Sequence, residues 1–200
     1  MSTDRVGGYV AVMRRDADET RRRLLRAARD EFAEFGLAGA RVDRIASAAR
    51  ASKPLLYTYF GNKDQLFDAV YNTLIADIVS DVPLDATDLP GYAGLLYDQS
   101  IAHPELVRMT LWDRLERAGQ GARQPGVREA NRTKVAAIQR AQDDQRLSDR
   151  IPAADLLLLI TTTAAMWAFA QLGPDGTGSE QTDQARATLT EAIRILTGAP

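Results

Sequence analysis

The side chains best suited to chemistry stand close together, in the stretch SKPLLYTYFGNK over residues 52–63. Lys53 and Lys63 carry ammonium groups that donate to phosphate oxygens, and the hydroxyls of Tyr57, Thr58 and Tyr59 reach phosphates or base edges. Leu55 and the methyl of Thr58 match a thymine methyl. These residues form a binding surface rather than a catalytic set. Elsewhere the inventory for catalysis is thin. His103 is the one histidine and cysteine is absent, which leaves no thiolate, no Cys-based zinc site and almost no material for another metal site or a Ser-His triad. His103 precedes Pro104 and reads as a structural residue at a helix junction. Asp143 with Asp144, and Asp113 with Glu116, are expected on helix surfaces, and nothing places them in a cleft for acid–base work. No catalytic residue, metal site or cofactor is expected.

The elements that position the stretch are two short helices. The first spans Val42 to Ala49, with Ile45, Ala46 and Ala49 on one face and the alanines small enough for a close helix crossing. Arg50, Ala51 and Ser52 form a break. The second helix starts at Lys53 and Pro54 and ends near Gly61. Ser52 is a good N-cap, and Pro54 suits a first turn where an N–H is unpaired anyway. Leu56 and Phe60, four apart, face inward. Lys53, Leu55, Tyr57, Thr58 and Tyr59 are left outward. This spacing is that of a helix-turn-helix, whose second helix lies in a DNA major groove. The alternative is a plain packing unit with Tyr57 and Tyr59 filling a core. The candidate DNA-binding residues are Arg41, Arg44, Ser52, Lys53, Pro54, Leu55, Tyr57, Thr58, Tyr59 and Lys63, the last as a phosphate contact at the next helix N-terminus.

Charge is distributed to match. The net charge of −2 divides into a basic N-terminal part and an acidic remainder. Residues 1–63 hold 13 Lys+Arg and 8 Asp+Glu, a balance of +5, whereas residues 64–200 hold 12 and 19, a balance of −7. A basic head on an acidic body is the footprint expected when only the head meets phosphate.

From Thr20 to Leu74 the chain resembles the tetracycline-repressor (TetR) family. The likeness rests on the first helix, TRRRLLRAARDEFAEFG, with Ala27, Ala28, Phe32 and Gly36. It continues through Val42, Ile45, Ala46, Ser52, Lys53, Leu56, Tyr57, Tyr59, Phe60, Asn62, Lys63 and Leu66. The chain departs from the usual family pattern at Arg41, Leu55, Thr58 and Tyr59. The resemblance implies an all-α dimer. A three-helix DNA-binding head would precede a helical domain that holds a ligand pocket and the dimer interface. Ligand binding would change the separation of the heads and release a palindromic operator.

The remaining chain reads as helical throughout. A flexible arm over 1–16 precedes a DNA-binding domain over 17–63 and a ligand-binding and dimerisation domain over 64–200. Helices are expected at about 17–35, 62–80, 91–102, 104–119, 126–146, 152–172 and 179–197, with Pro104, Pro125 and Pro152 at helix starts. A glycine-rich run at 173–178 is a break. The uncharged segment LLLLITTTAAMWAFAQL, residues 156–172, is as short as a spanning helix can be and lacks flanking basic clusters, so it reads as a helix buried by its own domain and a partner chain. Leu156, Leu159, Ile160, Thr163 and Trp167, with Leu189, Ile193 and Leu196, are the expected homodimer face across helices 152–172 and 179–197. Candidate ligand-binding residues are Tyr92, Tyr97, Arg108, Met109, Trp112, Thr162, Met166, Trp167 and Phe169, around a small apolar effector. A cytoplasmic, membrane-free protein is expected. The competing readings are a regulator of the same fold worked by a protein partner or by no effector, and a small helical enzyme or membrane-associated helical protein.

Overall fold

A computed structural model describes the backbone of residues 3–171 and 179–198, and the side chains of 15–171 and 181–198 apart from Val79. The glycine-rich run at 173–178 and Leu172 lie outside the described residues. Among the described residues the regular structure is helical. It comprises α1 (Thr3–Gly39), α2 (Val42–Ala48), α3 (Lys53–Phe60), α4 (Lys63–Asp81), α5 (Leu89–Ala102), α6 (Pro104–Arg117), a 3-10 turn (Gly121–Arg123), α7 (Pro125–Asp143), α8 (Ala153–Gln171) and α9 (Ser179–Thr197).

Local chemistry sets most of these boundaries. The Ser52 side chain accepts from Leu55 N, and the Asn62 side chain accepts from Gln65 N at 2.8 Å, so α3 and α4 each begin on a cap. Pro90, Pro104 and Pro125 sit in first turns, where a missing N–H costs nothing. The arm expected over 1–16 is instead helical from Thr3. Once the downstream turns exist, each added residue gains a hydrogen bond at little cost, and Gly7 and Gly8 do not stop this propagation. At the other end of α1 the expected stop at Gly36 is a break: Gly36 has φ 68° and ψ −176°, and a further helical turn follows it.

Two apolar cores result. The head core gathers Leu24, Phe32, Ile45, Leu56, Leu66 and Phe67, with Phe32 and Phe67 edge-to-face at 5.1 Å. It also takes in Leu106 and Met109 of α6, so the cores do not divide at residue 63. The body core is built from Tyr92, Tyr97, Ile138, Leu156, Ile160, Leu189 and Ile193. Leu156, Ile160, Leu189 and Ile193 therefore fill their own domain, while Leu159, Trp167 and Leu196 remain exposed. Asp113, expected on a surface, is buried: its carboxylate accepts from Gly121 N at 2.9 and 3.0 Å and pairs with Arg117 at 3.4 Å.

Glu31 fastens α1 to the start of α2. Its Oε1 accepts from Arg41 N at 2.7 Å and from Arg44 Nε at 2.8 Å. Burial works against its charge, but the hydrogen bonds from Arg44 and from the Arg41 backbone outweigh it and hold the carboxyl below its ordinary range. The folded state thus binds this proton less tightly than the unfolded chain. The stabilisation is complete above the usual glutamate range and is lost as pH falls from there through the lowered value of the folded state. Glu31→Gln should cost about 1–3 kcal/mol at neutral pH. Urea midpoints should draw toward those of the wild type as pH drops below about 5.

Candidate nucleic-acid interface

The turn between α2 and α3 is closed by two backbone bonds, from Arg50 N to Ser47 O at 3.0 Å and from Ala51 N to Ala46 O at 2.9 Å. This pairing is the Schellman motif, and it places Arg50 at φ 51°, a left-handed position where glycine is usual. An arginine there costs roughly 1 kcal/mol relative to glycine. Arg50 is exposed, and no carboxylate among the described residues lies within ion-pair distance of it. Sequence reading missed this residue. Its signal was a basic side chain in a three-residue turn that offers no glycine.

α3 buries Leu56 and Phe60 and turns a mostly apolar face outward. Leu55 is 37% exposed and Tyr57 39%. The polar groups around them are largely committed. Ser52 caps the helix, the Thr58 hydroxyl donates to Pro54 O at 3.0 Å, and Lys53 Nζ pairs with Asp43 at 3.0 Å. The phenol of Tyr57 is the outward hydroxyl of α3 without such a commitment among the described residues. Pro54 and Arg41 are also exposed.

Three expected contacts point elsewhere. Tyr59 is turned back on α1: it is half-buried, and its hydroxyl donates to Ala17 O at 3.2 Å. Lys63 does not reach outward. Its Nζ donates to Ala40 O at 2.7 Å and to Ala38 O at 3.3 Å, closing carbonyls left open at the end of α1. Arg44 is held by Glu31, donates to Gly39 O, and stacks 4.3 Å over the Phe35 ring. Ala17 lies 42 residues from Tyr59, Ala38 is 25 from Lys63 and Glu31 is 13 from Arg44, beyond the reach of local pattern.

Below the head, α6 packs along α1. Trp112 Nε1 donates to Ala33 O at 3.2 Å, and Glu116 Oε2 accepts from Leu37 N at 2.6 Å and Ala38 N at 3.1 Å. The approach is close at Gly36, where a Cβ would stand 2.8 Å from Glu116 Oε1 and 2.9 Å from the Trp112 ring. Glu116, expected on a helix surface, is exposed there and also bonds across the seam. The same Trp112 walls a groove of about 560 Å³ between α6 and α8, with Pro104, Arg108, Leu111, Leu115 and Phe169. Of the candidate ligand residues this groove unites Arg108, Trp112 and Phe169. Tyr92, Tyr97 and Met109 are instead fully buried in the cores, where they fill space. Trp167 packs on α9 through a bond to Ala185 O at 3.1 Å, and Thr162 and Met166 do not line the groove.

A capped recognition helix presented by a three-helix head, with a helical body docked on its first helix, defines a helix-turn-helix DNA-binding protein. Residues 24–70 match the bacterial regulatory proteins of the tetR family, and residues 88–194 match the tetracyclin repressor-like C-terminal domain. The chain is 38% identical over 189 residues to the HTH-type transcriptional repressor SCO4008 of Streptomyces coelicolor, covering 91% of this chain and 97% of that protein. It is 30% identical over 111 residues to the repressor NicS of Pseudomonas putida, 52% of each chain. A crystal structure of a proposed transcriptional regulator from Streptomyces coelicolor, SCO4942, superposes with a TM-score of 0.79 at 36% identity, covering 90% of this chain and 99% of that one. The chain belongs to the TetR family of transcriptional regulators.

Two variants separate contact from scaffold. Tyr57→Ala should weaken operator binding by about 1–3 kcal/mol with folding intact, read by gel shift and thermal melting. Arg50→Gly should raise the melting temperature, by relieving the left-handed arginine, and weaken DNA binding at all sequences alike. An Arg50→Gly protein that binds as tightly as the wild type removes Arg50 from the interface.

Proposed function

We propose that this regulator is a homodimeric repressor whose two α3 helices read a palindromic operator and whose α6–α8 groove takes a small, largely apolar effector. The observation that carries the reading is the double position of Trp112. Trp112 lines the groove, and its indole N–H is bonded to α1 of the head. A ligand that moves this ring therefore works directly on the helix that orients the recognition unit. An effector releases DNA only if it binds the incompetent arrangement of the two heads more tightly.

Leu55, Tyr57 and the Thr58 methyl are the proposed base-reading groups, with Arg41, Arg50, Lys53 and Pro54 beside them on the phosphate backbone. The proposed dimer uses the apolar faces that α8 and α9 leave uncovered, including Leu158 at 55% and Ile195 at 73% exposure. α8 is long and apolar enough to cross a bilayer. A partner chain on that face accounts for its composition in a cytoplasmic DNA-binding protein. Two recognition helices on one face of B-DNA need centres about 34 Å apart, a spacing that only a dimer supplies.

The test is a salt-dependent gel shift with genomic fragments, followed by a screen for compounds that release the bound fragment. Trp112→Ala should lose the response to any such compound while retaining DNA binding. Leu158→Glu should yield monomers by sedimentation, with operator affinity falling at least about tenfold. If no small molecule alters operator affinity, control by a protein partner becomes the better reading. If the Leu158→Glu protein remains dimeric, the proposed face is wrong.

A further inference from the structure

Lys134 is the only lysine beyond residue 63, and it stands half-buried on α7. Its Nζ donates to the Tyr92 hydroxyl at 2.9 Å and lies 5.3 Å from the centre of that ring. No carboxylate among the described residues comes within ion-pair distance of it. Tyr92 supplies no counter-charge either, because burial pushes its phenol up to about 12 and keeps it neutral. An ammonium partly withdrawn from water without an anion is an unfavourable arrangement. Burial alone lowers its tendency to hold a proton. Two of its three N–H bonds remain for another acceptor.

Beside Lys134 opens a recess of about 260 Å³, lined by Leu84, Ala130, Thr133, Lys134 and Ala137. The Thr133 hydroxyl is committed to Glu129 O at 3.1 Å, so the wall is apolar apart from the ammonium. The volume lies just below the usual range for small-molecule sites, about 300–1,000 Å³, and suits a short ligand. The recess shares no residue with the α6–α8 groove.

We propose that this recess binds a small aliphatic carboxylate, with the carboxylate on Lys134 Nζ and the chain among Leu84, Ala130 and Ala137. A carboxylate only accepts hydrogen bonds, and the Lys134 ammonium only donates. Inorganic phosphate would satisfy the charge but leave a hydrated ion against apolar walls. A neutral amphiphile would fill the walls and leave the ammonium unpaired. Tyr92 does not line the recess; it positions Lys134 from behind. The assignment stands apart from the operator and effector readings, and its failure would leave both untouched.

The test uses full-length protein labelled with ¹³C at the lysine ε-carbons, whose three lysines give three signals. Hexanoate should shift the Lys134 signal and leave those of Lys53 and Lys63 in place. Hexanamide, of the same shape without charge, should bind at least about tenfold more weakly. Lys134→Met should lower hexanoate affinity at least about tenfold, measured by calorimetry. Should that variant not fold, Ala137→Leu fills the recess without touching the charge and should abolish hexanoate binding. A Lys134 signal that stays put up to about 10 mM hexanoate overturns the proposal. Equal affinity for hexanamide, or an Ala137→Leu protein that binds as well as the wild type, overturns it too.

Discussion

The guanidinium of Arg117 lies inside the protein, with 6% of its side chain exposed, and three segments are arranged about it. Nη2 donates to Asp68 of α4 at 2.7 Å, and Nη1 reaches Asp113 at 3.4 Å. The Phe67 ring lies 4.7 Å beneath it. Asp113 in turn holds Gly121 N, so the 3-10 turn that leads into α7 is fastened to the same charge. Nε has no hydrogen-bond partner, and Asp64 stands 4.0 Å from it. A buried ion pair of this kind adds little net stability over a packed apolar core. Removing one partner costs about 3–5 kcal/mol, because the other charge is left stranded. What the network supplies is orientation. α4 cannot rotate against α6 without exposing a charge to an apolar interior. The head core rests on α4, and the groove wall is α6, so this constraint is what makes the two parts one mechanical unit.

Much of this architecture is legible in local chemistry. Ser52, Asn62, Pro104 and Pro125 announce helix starts through caps and missing N–H groups, and the structure begins helices at those places. Leu56 and Phe60 declare the inward side of α3 by spacing alone. What escapes the sequence is which side chains tertiary packing brings together, often from far apart in the chain. Tyr59 has an outward helical position, yet Ala17 offers its hydroxyl a carbonyl 42 residues away. Lys63 stands at a helix N-terminus that invites an anion, but the carbonyls at the end of α1 are nearer. Asp113 looks like a solvated charge until Arg117 and Gly121 N enclose it. Tyr92 and Tyr97 carry the composition of a pocket, and packing uses them as core. Aromatic residues serve either role, and only the neighbours decide.

α8 shows the same ambiguity on a larger scale. Its run of leucines and threonines meets the length and composition of a membrane span, and about a third of its most apolar stretch is buried within the chain. One side carries Leu156, Ile160 and Ala164 into the body core; another presents Leu158 and Leu159 outward. A helix apolar on both sides has a second face left to cover, and the partner chain proposed above would cover it.

The carboxylate of Glu116 has a consequence for how the protein is made. It accepts from the backbone N–H groups of Leu37 and Ala38, 79 and 78 residues earlier in the chain. Those donors belong to the turn after Gly36, beside the carbonyls that Lys63 closes. A nascent chain leaving the ribosome N-terminus first, at about 5–20 residues per second, exposes the helix-turn-helix well before residue 116 is polymerised. During that interval the last turn of α1 has two orphan donors, and the apolar faces meant for Leu106 and Met109 are bare. The head is contiguous in sequence but completed by the body: a chain cut short after α4 would lack the Glu116 carboxylate on Leu37 and Ala38 and the packing of Leu106 and Met109 against the head core.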